Sequence, residues 1–355
     1  MNKNSFSTLN GMRGIAALFV LNRHTSDYWN FTIFRSYLAV DLFFILSGFV
    51  IAHAYDKKLN ERVIKLKDFI FIRIIRLYPV YFLSLIVASA FQIYLICVQG
   101  NSDSHNAASL TVTILLTVFF IPSHLYGGNN FLFPLNGPYW SLFYELIVNF
   151  AYASLRKWLS IKNLIYSVVF FGAVILLSSL LHNGLDGGSV WKTTSFYAGI
   201  LRALFGIFYG LLIYRLRIII PNVNSELSTT ILPILIMTLI LLVPSVGRFD
   251  GLLDGISVIL LFPLCIYLAS LSKNVHFEKI FLILGTASYP IYVLHKPIAD
   301  IFREIWPIFI HKNAPLSGLL LITFLIFISI IIEKYYDLPL RRLLTNITFN
   351  KNFNR

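Results

Sequence analysis

The sequence predicts an all-α fold, a polytopic transmembrane helical bundle of about ten spans plus one re-entrant or interfacial segment, and three observations predict it. The first is composition. Of 355 residues, 57% are hydrophobic, 16% aromatic and only 13% charged, with a mean hydropathy of +0.75, which excludes an ordinary soluble domain. The second is a series of ten apolar windows, each near the ~20 residues that cross a hydrocarbon core. They lie at about 8–26, 36–55, 79–98, 138–155, 164–182, 195–214, 227–244, 255–271, 280–299 and 316–334. The third is the placement of basic residues: with the N-terminus in the cytosol, twenty Lys and Arg fall in inner segments and seven in outer ones. That bias, with attraction to anionic lipid or ligand, accounts for the net charge of +13, so no nucleic-acid partner is expected.

The first window contains "NGMRGIAALFVLNRH". Arg13 and His24 are eleven residues apart, so on a helix they share a face and are separated by about 16 Å along the axis. Asn10 joins that face. A charged side chain at mid-membrane costs at least ~2.5 kcal/mol and normally faces a bundle interior or an aqueous cavity. The bland alternatives are an Arg13 snorkelling to the inner interface and a His24 lying among headgroups. A single early lysine, Lys3, and polar groups within the apolar run point to a retained span rather than a cleaved signal.

The second window, "YLAVDLFFILSGF", holds Asp41, Ser47 and Gly48. A buried carboxylate needs a partner, and His24 or Arg13 is the expected one for Asp41. Ser47 and Gly48 fit close helix packing as well as they fit ligand contact. In "DFIFIRIIRLYP", Arg73 and Arg76 at i and i+3 share a helical face before Pro79, the arrangement of a phosphate clamp at the inner surface. Inner-loop charge bias or lipid contact explains the same pair. The run from Leu110 to Pro122 is short and leads into a Gly/Asn/Pro-rich stretch; were it a span, the later basic loops would fall outside, so it reads as re-entrant. "NGPYWSLFYEL" then puts Ser141 and Glu145 at i and i+4, directly after Trp140, and "SYPIYVLHKP" brings His295 and Lys296 toward the outer side. Cys97 and Cys265 both sit in apolar runs, so neither a disulfide nor a cysteine metal site is expected.

Five of these features in this order, Arg13 to His24, "FFILSGF" at 43–49, Arg73 with Arg76, Ser141 to Glu145, and "SYPIYVLH", resemble the acyltransferase-3 family of integral membrane acyltransferases over about residues 8–340. The resemblance implies a polysaccharide O-acetyltransferase-like enzyme. Such an enzyme takes an acyl group, usually acetyl, from cytosolic acetyl-CoA to a hydroxyl of an extracytoplasmic surface glycan or lipid-linked sugar, such as O-antigen lipopolysaccharide or exopolysaccharide. It also implies a multi-pass protein of the bacterial inner membrane, bounded by membrane lipids and using no metal, and the charge count puts both termini in the cytoplasm. Asn10 departs from the pattern, since relatives often carry an aspartate shortly before the arginine. No SGNH-type domain follows the spans, so one membrane domain over 1–355 with no separate soluble domain, acting by direct transfer, is expected.

On this reading His24 activates the acceptor hydroxyl, Arg13 holds the thioester or a carboxylate, and Glu145 or Asp41 orients His24. Arg73, Arg76, Ser47 and Gly48 are expected to bind acetyl-CoA, and Ser141, Trp140 and His295 the acceptor. The rival class is a multi-span transporter or flippase for a glycan or small anion, which the absence of evident inverted repeats disfavours.

Overall fold

The computed structural model describes residues 6–99, 107–128, 130–217, 227–272 and 277–349. Of the residues behind the charge bias, Lys3, Lys273, Lys351 and Arg355 lie outside them. The described chain is helical throughout, with one isolated antiparallel bridge between Phe131 and Val190. In chain order the helices are α1 (Ser7–His24), α2 (Ala39–Asn60), α3 (Leu66–Gln99), α4 (Ala107–Val118), α5 (Tyr139–Leu155), α6 (Ile161–His182) and α7 (Thr193–Arg217). They continue with α8 (Leu232–Leu242), α9 (Asp250–Ile256), α10 (Phe262–Ser270), α11 (Glu278–Ile305), α12 (Pro307–Lys312), α13 (Leu316–Ile332) and α14 (Leu338–Phe349). Single π-helical turns carry α9 into α10 and α13 into α14.

By length and composition six helical stretches can cross a membrane: Phe34–Asn60, Leu66–Val98, Ile161–His182, Thr193–Arg217, Gly247–Ser270 and Leu316–Phe349. The other windows fall short for identifiable reasons. Ser228–Leu242 and the 17-residue α5 are apolar but brief. α1 and α11 carry Arg13, Arg23 and His24, and Ser288, His295, Lys296 and Arg303, so their polar residues reduce the very hydropathy that marks a span. α4, with 12 residues and thus about 18 Å long, is too short for a ~30 Å core.

Two parallel helix pairs form the frame. In α2 and α7 the backbones touch: a Cβ on Gly48 would overlap the carbonyl of Ile207, and one on Gly210 the carbonyl of Ile45. Planar two-bond ion pairs pin both ends, Arg202 to Asp41 at 2.7 and 2.8 Å and Arg215 to Asp56 at 2.8 Å for each bond. In α1 and α11, Gly14 lies on Leu284 and Gly285 on Asn10. Past the end of α1, the Tyr28 hydroxyl donates to Ala299 O (2.7 Å) and Arg303 grips Asp27 at 2.6 and 2.8 Å.

Proline inside α11 ties this pair to α3. Pro297 has no N–H to give to Val293, four residues back. The freed Val293 carbonyl accepts instead from Ser84 Oγ of α3 (2.5 Å) and Asn136 Nδ2 of the loop before α5 (2.7 Å).

Candidate active site

Between these elements lies a cavity of about 300 Å³. α1 lends it Arg13, α2 Ser47, α3 Arg73 and Arg76, α5 Ser141 and Glu145, and α11 Ser288, Tyr289 and Tyr292, with Phe43, Phe44 and Leu142 among its apolar walls. Arg13 is fixed by α11: its Nε donates to Ser288 Oγ (2.8 Å) and its Nη2 to Gly285 O (2.5 Å). Its remaining guanidinium edge belongs to the chamber.

Glu145 Oε1 accepts from Ser47 Oγ (2.6 Å) and from Arg73 Nη2 (2.7 Å). Arg73 and Arg76 therefore differ. Arg73 is neutralised by Glu145, whereas Arg76 lies over the Tyr289 ring (5.5 Å to its centroid) with only a long contact, 3.9 Å, to Asp337. Arg73 Nε and Arg76 Nη1 are buried N–H groups with no hydrogen-bond acceptor. A cavity bordered by unsatisfied guanidinium donors fits an anionic or carbonyl-bearing ligand.

At one end of the chamber the Tyr292 hydroxyl meets Ser141 Oγ at 2.6 Å. Its ring also contacts His295 (6.4 Å between centroids), and the His295 ring lies 5.3 Å from that of His24. His295 Nδ1 donates to Ile291 O (2.9 Å), so Nε2 carries the lone pair; it is buried and makes no hydrogen bond. Arg13 and His24 thus sit on the face of α1 that packs on α11, one in the chamber and one beyond Tyr292.

Several expected pairings are corrected. Asp41 does not meet His24 or Arg13; it is fully engaged by Arg202, and both groups are buried. Glu145 does not orient His24, because Ser47 and Arg73 occupy it in the chamber. The group beside His24 is His295, and neither imidazole is among the residues lining the chamber. Gly48 contacts α7 rather than the cavity, and Trp140 lies under the Arg202 guanidinium (5.4 Å), outside the lining. Arg202, Ser288, Tyr289 and Tyr292 were not singled out in the sequence. Arg202 had a signal, a lone charge inside an apolar window, and the two tyrosines belong to "SYPIYVLH" itself.

Residues 6–334 match the family described as "Acyltransferase domain", the acyltransferase-3 family. The chain belongs to this acyltransferase-3 family. As a family member it is an acyltransferase, and its long apolar helices make it a multi-pass membrane protein. Among named relatives, it is 39% identical over 181 residues to "Protein 2 in picA locus" of Rhizobium radiobacter, over 48% of this chain and 93% of that protein. No solved structure matches this acyltransferase.

Proposed function

We propose that this acyltransferase moves an acetyl group from cytosolic acetyl-CoA to a hydroxyl of an extracytoplasmic or lipid-linked glycan at the bacterial inner membrane. The observation that carries the reading is the chamber itself, lined by Arg76, Arg73 and Arg13 and bounded at its other end by Tyr292, behind whose ring the imidazole pair His24–His295 lies. Arg76 and Arg73 hold phosphate and amide groups of the donor at the cytosolic end. Arg13, about 16 Å from His24 along α1, faces the pantetheine arm, and the acyl thioester lies beyond it at the Tyr292 end of the chamber. The acceptor hydroxyl attacks that carbonyl, a C–O bond forms and the C–S bond breaks. His24 takes the hydroxyl proton and returns it to the departing CoA thiolate. His295 positions the His24 ring.

The topology belongs to the same proposal: ten spans, both termini cytosolic, α4 re-entrant. Arg23, at the end of α1, donates to Asp186 in the loop between α6 and α7, and Arg202 of α7 reaches Tyr37 O in the loop between α1 and α2. Those two loops therefore share one side, which requires an even number of crossings between them. α2, α3, α5 and α6 supply four, leaving none for α4.

Incubating purified protein with labelled acetyl-CoA and a panel of bacterial glycans tests the chemistry. Labelled glycan with an equal amount of free CoA is expected. Glycan movement across vesicles without label transfer would instead mark a flippase.

A further inference from the structure

We infer that the nucleotide end of the acyl-CoA docks in a cationic cleft on α14, where Arg341 and Arg342 hold its phosphates; the inference rests on the acyl-transfer reading above. These residues lie beyond the 6–334 stretch matched to the family. A cavity of about 300 Å³ is at the small end for organic ligands. It suits a slender pantetheine arm and leaves the bulky, triply phosphorylated nucleotide outside, next to Arg76.

The structure beside Arg76 is built for anions. Asp337, fully buried in the π turn between α13 and α14, forms an ion pair with Arg341 Nη2 (2.6 Å) through the same carboxylate oxygen that lies 3.9 Å from Arg76 Nη1. Arg341 Nη2 also reaches Glu333 at 2.7 Å. Glu333 and Asp337 balance Arg341 and Arg76 in charge, and Arg342 adds a further cation beside them. Arg341 Nε and Arg76 Nη1 are buried donors with no acceptor. Arg342 is exposed and makes no hydrogen bond or ion pair among the described residues. Arg341 and Arg342, with Leu338, Thr345 and Asn346, line a cleft of about 360 Å³. The planar guanidinium of Arg342, whose fork is free, is matched by phosphate oxygens, with Arg341 held beside it by its carboxylates.

A lipid headgroup offers the same phosphate chemistry, so the test separates the two. Binding of CoA and of pantetheine is measured for the full-length protein in phosphatidylcholine vesicles and again with phosphatidylglycerol added, for wild type, Arg342→Gln and Arg341→Gln/Arg342→Gln. The dissociation constant for CoA is expected to rise roughly 10- to 100-fold per lost charged contact, with pantetheine unchanged and the ratio independent of phosphatidylglycerol. Unchanged CoA affinity in both variants overturns the inference. So does an equal loss for pantetheine, which marks a distorted chamber, or an effect on phosphatidylglycerol binding that spares CoA, which marks a lipid site. Failure of the acyl-transfer reading appears separately, as CoA that binds without any labelled glycan forming.

Discussion

His24 has an imidazole for a neighbour where a carboxylate was expected, and this changes what its variants should do. With no acidic partner among the described residues to anchor it, its contribution on the proposed mechanism is the proton it takes. His24→Gln keeps size and hydrogen bonding but not basicity, so turnover should fall about 100-fold or more, with membrane levels and CoA binding as in wild type. Exchanging the pair as Arg23→His with His24→Arg turns the imidazole about 100° around α1 and should not restore activity. Steady-state rates at matched protein levels check both, and near-wild-type turnover in either variant assigns the base elsewhere. At this scale the sequence made much of the site legible, because a charge in an apolar run announces itself: Arg13, Arg73, Arg76 and Glu145 all line the chamber. Pairing was not legible. Asp41 and Arg202 are 161 residues apart, and only helix packing brings them together.

Between elements, small residues decide how close the backbones come. Gly210 has no room for a side chain against Ile45 and Phe49 of α2, so Gly210→Val should separate α2 from α7 and sharply reduce folded protein, read as detergent-extracted monomer in size-exclusion chromatography. Ser47→Ala, on the same α2 but facing the cavity, should be recovered at normal levels. The other parallel pair is joined by Asp27 and Arg303. Burial raises the Asp27 carboxyl pKa, but the hydrogen bonds and charge of Arg303 outweigh it and hold it below the ordinary value. The stability it contributes, roughly 1 kcal/mol for a part-exposed pair, is therefore present above the ordinary carboxylate pKa of about 4 and lost as pH falls through the lowered one. Thermal unfolding should show Asp27→Asn less stable than wild type at pH 7, with the gap closing at strongly acidic pH. Element existence was readable from apolar windows, whereas the partner of each helix was not, since α1 and α11 meet across some 270 residues.

Across the whole molecule, the charge bias and the loop contacts are independent observations that both support the proposed reading of α4 as a segment that does not cross. In a background with Cys97 and Cys265 replaced by Ser, single cysteines at Leu125 and Lys312 should react with an impermeant reagent from outside intact cells, and one at Lys157 only after lysis. Labelling of the Leu125 position only after lysis would make α4 a true span. The long helices of the bundle were legible because lipid demands a simple apolar code. The cleft on α14 was not, because its guanidiniums follow the last apolar window and looked like inner-loop charge.

The central claim is that the acyl group crosses through this chamber under the control of His24. Protein reconstituted in vesicles, with labelled acetyl-CoA inside and glycan acceptor outside, tests it most directly. Labelled glycan should appear outside while an equal amount of free CoA accumulates inside, and His24→Gln should abolish both. Label that never leaves CoA with any acceptor, or transfer by His24→Gln at the wild-type rate, would contradict the account.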